Sequence, residues 1–118
     1  GEVRGAEVVD LLAALNTGHD GGAGTVHANR PGEVPARLEA LGALGGLDRG
    51  ALHSQLAAAV QVVIHVGRGP TGRRLEEIAV LRRTGTGLVC AVPAWRSGDG
   101  FLDGATDLRR MIDERRRS

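Results

Sequence analysis

The chain has 118 residues, a formal net charge of +1 and only 2% aromatic content, a size suited to one domain with no strong electrostatic partner. Trp95 and Phe101 are its only aromatic residues, so any core must be aliphatic and an aromatic nucleic-acid platform is poorly supported. A single cysteine, Cys90, excludes an internal disulfide and a multi-cysteine zinc site. No apolar run approaches the ~18 residues of a membrane span, and the N-terminus shows no signal-peptide pattern.

All 15 basic residues are arginine, an imprint of GC-rich coding rather than of function. The chain opens on "GEVRGAE" with no Met, a polar step directly before an amphipathic segment. That opening is expected of a segment that starts mid-domain within a longer protein.

From Ala6 to Asn16, Val8, Leu11, Leu12 and Leu15 recur at helical spacing, and Thr17-Gly18 supplies a stop. Asp20 to Gly24 is a glycine-rich turn. "GTVHA" (Gly24–Ala28) alternates, which predicts a short strand with Val26 on one face and Thr25 and His27 on the other. "RPGEVPARLEALGAL" predicts a loop and then a helix: Pro35 is tolerated in the first turn, and Val34, Leu38 and Leu41 make the apolar stripe. After "GGLD", Asp48 caps a further helix through about Ala59, with Leu52 and Leu56 inward.

"VQVVIHV" (Val60–Val66) is β-branched and strand-like, "GRGPTG" is a turn, and "RRLEEIAVLRR" (Arg73–Arg83) pairs back as a hairpin. "GLVCAVPAW" (Gly87–Trp95) is a third strand, and Pro93 near its end suggests an edge. A last helix is expected from about Thr106 to Arg115. The closing "RRMIDERRRS" reads as a solvated helix end or a disordered tail. Helix, strand, two helices and a three-stranded meander suit one end of a larger α/β sheet, because a lone parallel strand at Gly24–Ala28 needs neighbours.

Two positions could carry chemistry. Glu2 in "GEVRG" would lie at a strand's C-terminal end if a strand preceded it, the edge where open α/β sheets bind ligands. A carboxylate there can hold an Mg²⁺-bound water or position an attacking water; a first-turn glutamate favoured by the helix dipole is the simpler alternative. His27, with Thr25 on its face and Asn29 at the strand's exit, could hydrogen-bond a phosphate oxygen, or could merely cap a loop. His19 and Asp20 are too sparsely spaced for a convincing metal site. His53 on a helix and His65 in a strand read as packing or surface residues, and Cys90 in an apolar strand as a small hydrophobe. The chain contains no G-x-x-x-x-G-K-[ST] and no G-x-S-x-G.

Taken together, "GEVRG" at Gly1–Gly5 and "LLAALNTGHDGGAGTVHAN" at Leu11–Asn29 resemble the type II/IV secretion ATPases. That family has a Walker B segment ending in G-E-x-R and, one helix later, a histidine box T-G-H…T-x-H-x-N. "PGEVPARLEALGAL", "VVIHV…GRRLEEIAVLRR" and "VPAW" are most similar to its CpaF-like branch, the ATPases of tight-adherence (Flp) pilus assembly.

The resemblance implies an α/β fold: residues 1–118 as the C-terminal part of one RecA-like P-loop NTPase motor domain, followed by a β-meander and a C-terminal helix. It implies ATP and Mg²⁺ as cofactors and a homo-oligomer, a hexameric ring, on the cytoplasmic face of the inner membrane. It also implies inner-membrane platform proteins of a pilus or secretion system as partners, with no specific nucleic acid. Carried over residue by residue, Glu2 matches the Walker B glutamate that polarises the attacking water, touching the metal only through an Mg²⁺-bound water. His27 matches the histidine expected near the γ-phosphate. Thr17, Gly18 and His19 match the opening of the box, Thr25 and Asn29 its second half, and Arg4 the arginine that ties the two motifs together. The Walker A lysine and the upstream Asp box have no counterpart here, so these 118 residues alone are expected not to hydrolyse ATP. The alternative from another class is a stand-alone, non-catalytic docking or assembly protein derived from such a motor.

Overall fold

The computed structural model describes residues 5–17 and 22–117. In chain order they form α1 (Glu7–Asn16), a 3-10 turn (Pro31–Glu33), α2 (Val34–Leu44), α3 (Arg49–Ala59), β1 (Val62–Gly69), β2 (Gly72–Arg83), β3 (Val89–Arg96), β4 (Gly100–Phe101) and α4 (Ala105–Arg117). The four strands make one antiparallel sheet in the order β1-β2-β3-β4.

The helices form where the apolar spacing demands them. Val8 and Leu12 of α1, Val34, Leu38 and Leu41 of α2, and Leu52 and Leu56 of α3 are all buried in one aliphatic cluster, joined by Val89 of β3. Asp48 caps α3 as its position predicts, its side chain accepting from the Ala51 N–H at 2.8 Å. Pro35 sits in the first turn of α2, where the absent N–H leaves no helical bond unmade.

The sheet's two faces are set by register. Val63 and Leu81 pack against the helical cluster. The opposite face carries the aligned row Val62, Val80 and Val92. Asp107 of α4 meets Arg82 two residues beyond Val80, so α4 lies on that side. Beyond α4 the same face is open. The cross-strand row Ile64, Ile78, Trp95 and Phe101 runs over it, with Ile64 61% and Phe101 72% exposed.

Three expectations change. The strand expected at Gly24–Ala28 is reduced to an isolated bridge at Thr25, because a single short segment cannot propagate a ladder without a neighbouring strand. The meander gains a fourth, two-residue strand, β4, which pairs with Trp95 and Arg96. Cys90, expected to behave as a small hydrophobe, is exposed: Val89 points into the core, so its neighbour must point out, opposite Arg82.

Pro93 does mark a bare stretch of strand edge. β4 reaches only Trp95 and Arg96, and the Pro93 carbonyl accepts from the Gly104 N–H at 2.8 Å on the side away from β2. The missing proline N–H thus faces out of the β2–β3 ladder, and a register shift between Ile78 and Ala79 falls at the same place.

Candidate functional site

The segment 22–29 lies on the helical layer as an anchored ribbon. Val26 and Ala28 are half-buried against the aliphatic cluster. Thr25, His27 and Asn29 are exposed, with the alternation that the sequence predicts. A hydroxyl, an imidazole and a carboxamide are thereby presented together on an open face. That donor set suits oxyanion oxygens: each group can donate a hydrogen bond, and none brings a negative charge.

The start of the histidine box is placed by α1. This helix ends at Thr17, whose hydroxyl donates to the Ala13 carbonyl at 2.9 Å and whose N–H reaches the Ala14 carbonyl at 3.2 Å. The Thr17 hydroxyl thus satisfies a carbonyl at the helix terminus. Asn16 Nδ2 donates to the Gln55 carbonyl at 3.2 Å and fixes the end of α1 onto α3. So the structure brings Thr25, His27 and Asn29 together and gives Thr17 a structural task. Glu2, Arg4, Gly18 and His19 lie outside the described residues.

One buried polar centre was classed from the sequence as mere packing or surface. His53 of α3 is 2% exposed. Its Nδ1 accepts from the Val89 N–H at 2.8 Å. A backbone N–H has only a proton to give, so the ring proton resides on Nε2, which donates to Glu39 Oε2 at 2.7 Å. The other oxygen of Glu39 holds Arg49 Nε at 3.1 Å. One histidine thus joins α2, α3 and β3. The sequence signal was its place beside Leu52 and Leu56 on the inward stripe; its partners, 14 and 36 residues away, left no local trace.

A recess of about 310 Å³ opens between α3 and the ends of β2 and β3, lined by Ser54, Ala57, Ala58, Leu81, Arg83 and Val89. Thr17, Thr25, His27 and Asn29, the described residues carried over from the family motif, are not among its lining. On the far side of the sheet, the hydrogen bond from Arg82 holds the Asp107 carboxyl below the usual carboxylate range. Hydrogen bonding to Glu77 holds the Arg96 guanidinium still more firmly in its charged form. These pairs fasten the sheet.

Comparison with known proteins defines the class. Residues 1–84 match the family model for type II/IV secretion system proteins, and the chain belongs to that family. It is 70% identical over 116 residues to a Mycobacterium tuberculosis (strain ATCC 25618 / H37Rv) protein named "Putative conjugal transfer protein", a match covering 98% of this chain and 33% of that protein. It is 36% identical over 87 residues to the "Probable conjugal transfer protein TrbB" of Sinorhizobium fredii (strain NBRC 101917 / NGR234), covering 74% of this chain and 26% of the relative. A TrbB conjugal transfer protein of Rhizobium radiobacter is 36% identical over 78 residues, covering 66% of this chain and 24% of its own. The chain spans about a third of the length of the first of these relatives and about a quarter of the others.

Proposed function

We propose that this chain is part of a RecA-like motor ATPase that couples ATP binding and hydrolysis to a cell-envelope machine for pilus assembly, secretion or conjugal transfer. The observation that carries the proposal is the joint exposure of Thr25, His27 and Asn29, anchored from beneath by Val26 and Ala28. These are the second half of the histidine box, in order, one helix after "GEVRG". Family membership supports the reading. The names of the relatives favour transfer across the envelope, and the motif wording resembles the tight-adherence pilus branch. The content common to both is a ring motor, expected as a homo-hexamer docked on inner-membrane platform proteins.

In this reading Glu2 orients the attacking water and meets Mg²⁺ only through a bound water, as Walker B carboxylates do. His27 donates toward the terminal phosphate, and Thr25 and Asn29 flank it. Thr17, Gly18 and His19 shape the entry to the ribbon, and Arg4 ties the two motifs together. Bound ATP–Mg²⁺ supplies the phosphoryl group; the chain supplies position and hydrogen-bond donors. A phosphate cradle needs backbone N–H groups and a lysine, and this chain has no lysine, so that wall comes from other residues of the longer protein.

The test uses the full-length protein that carries this segment. His27→Ala is expected to lower kcat about a hundredfold while nucleotide affinity changes little, the pattern of a donor used mainly in the transition state. Wild-type values of both parameters would refute the γ-phosphate role.

A further inference from the structure

The tip of the β1–β2 hairpin holds a pair of like charges that no described residue neutralises. Arg68 and Arg73 are directly opposed partners in the antiparallel register, one pair before the closing Gly69 and Gly72. Directly opposed residues share a face, with Cβ atoms roughly 5 Å apart, and like charges so placed repel. Arg68 and Arg73 are exposed, and neither forms an ion pair with any described residue.

The other arginines of the sheet have partners: Arg83 donates to the Gly87 carbonyl at 3.2 Å, and three more meet carboxylates. Arg74 pairs with Glu76, Arg82 with Asp107, and Arg96 with Glu77 and Asp99. The acids of the hairpin are committed to the opposite face. Gly67 lies opposite Arg74, and a Cβ on Gly67 would stand 2.7 Å from Glu76 Cγ, so Glu76 occupies the space over Gly67. Arg68 follows Gly67 and points the other way. Its face continues into Val66 and Leu75, which carry no charge.

We propose that Arg68 and Arg73 form a binding site for a phosphomonoester, a terminal phosphate group carried on another molecule. Elsewhere in the sheet an arginine meets one carboxylate or two, as Arg82 meets Asp107 and Arg96 meets Glu77 and Asp99. Two adjacent guanidiniums call for a ligand of about two negative charges with several acceptor oxygens, which a terminal phosphate provides at neutral pH. The site is separate from the His27 ribbon and does not depend on the ATPase reading.

The 118-residue chain tests it directly. Inorganic phosphate is titrated at constant ionic strength while the arginine Nε–H signals and the backbone amide signals of residues 67–74 are followed by NMR. Saturable shifts confined to this hairpin tip, largest at Arg68 and Arg73, are expected. R68Q or R73Q alone weakens the affinity by about tenfold or more, the loss expected of a charge-assisted hydrogen bond, and R68Q/R73Q abolishes the response while circular dichroism stays unchanged. Acetate at the same ionic strength should leave both signals unsaturated. A parallel arm measures co-sedimentation with phosphatidylcholine vesicles containing phosphatidic acid. Sedimentation lost in R68Q/R73Q assigns the phosphate to a lipid headgroup; its absence beside a saturable phosphate response assigns it to a soluble phosphomonoester. Shifts that do not saturate, that survive R68Q/R73Q, or that acetate reproduces overturn the proposal.

Discussion

At the scale of single residues, stability concentrates where a polar atom is buried with its partners. His53 spends both ring nitrogens inside the fold, one on the Val89 N–H and one on Glu39. His53→Leu fills similar space but strands a buried N–H and removes a carboxylate's donor. It is expected to cost about 2–4 kcal/mol, measured as a shift in urea midpoint with unchanged slope. Gly104 matters for a different reason. A Cβ there would stand 2.8 Å from the Val92 carbonyl oxygen and 2.9 Å from that of Pro93, both fixed backbone. Gly104→Ala should push α4 off the sheet and cost about 1–3 kcal/mol by the same measurement. A sequence shows that a histidine sits beside two leucines; it does not show which amide from a distant strand will meet it.

At the scale of elements, local pattern and outcome agree where an element is long enough to bury its own stripe. α2 and α3 were legible because their leucines recur over three turns and Asp48 announces a start. Leu52→Ala or Leu56→Ala removes a side chain fully enclosed by that pattern and should cost about 2–5 kcal/mol in denaturant unfolding. The segment 24–28 was legible in its alternation but not in its state. Val26 goes in and His27 goes out as the pattern requires, yet only Thr25 makes a bridge, since a ladder depends on what lies alongside. The seat of α4 was likewise invisible. It is held partly by Arg82 and Asp107, partners 25 residues apart.

That pair sets a pH dependence. Arg82 lowers the Asp107 pKa from its ordinary 3.8, so the contribution is complete above that value and is lost as pH falls through the lower folded pKa. Comparing Asp107→Asn with wild type, the stability difference should be constant from neutrality down to about pH 5. It should vanish in stronger acid, and it should shrink with added salt because solvent screens the pair.

At the scale of the whole molecule, membership of the type II/IV secretion system family and the extent of the match frame what the chain can do. The purified 118 residues are expected to show no ATP turnover above buffer in a phosphate-release assay, because no lysine is present to hold the phosphates. Turnover that persisted in Glu2→Gln would overturn both that expectation and the role given to Glu2.

The sequence alone determined the aliphatic helical core, the hairpin, the cap at Asp48 and the family motif. Each is written in residues a few positions apart and follows from helical or strand periodicity. Only the tertiary structure decided that His53 links three elements, that Cys90 faces outward, and that Arg68 and Arg73 share a face with no carboxylate of the described residues paired to them, while Thr25, His27 and Asn29 stand exposed over an anchored base. Those outcomes depend on register, on packing, and on which distant groups arrive beside one another. Local sequence does not encode such arrangements until the chain has closed on itself.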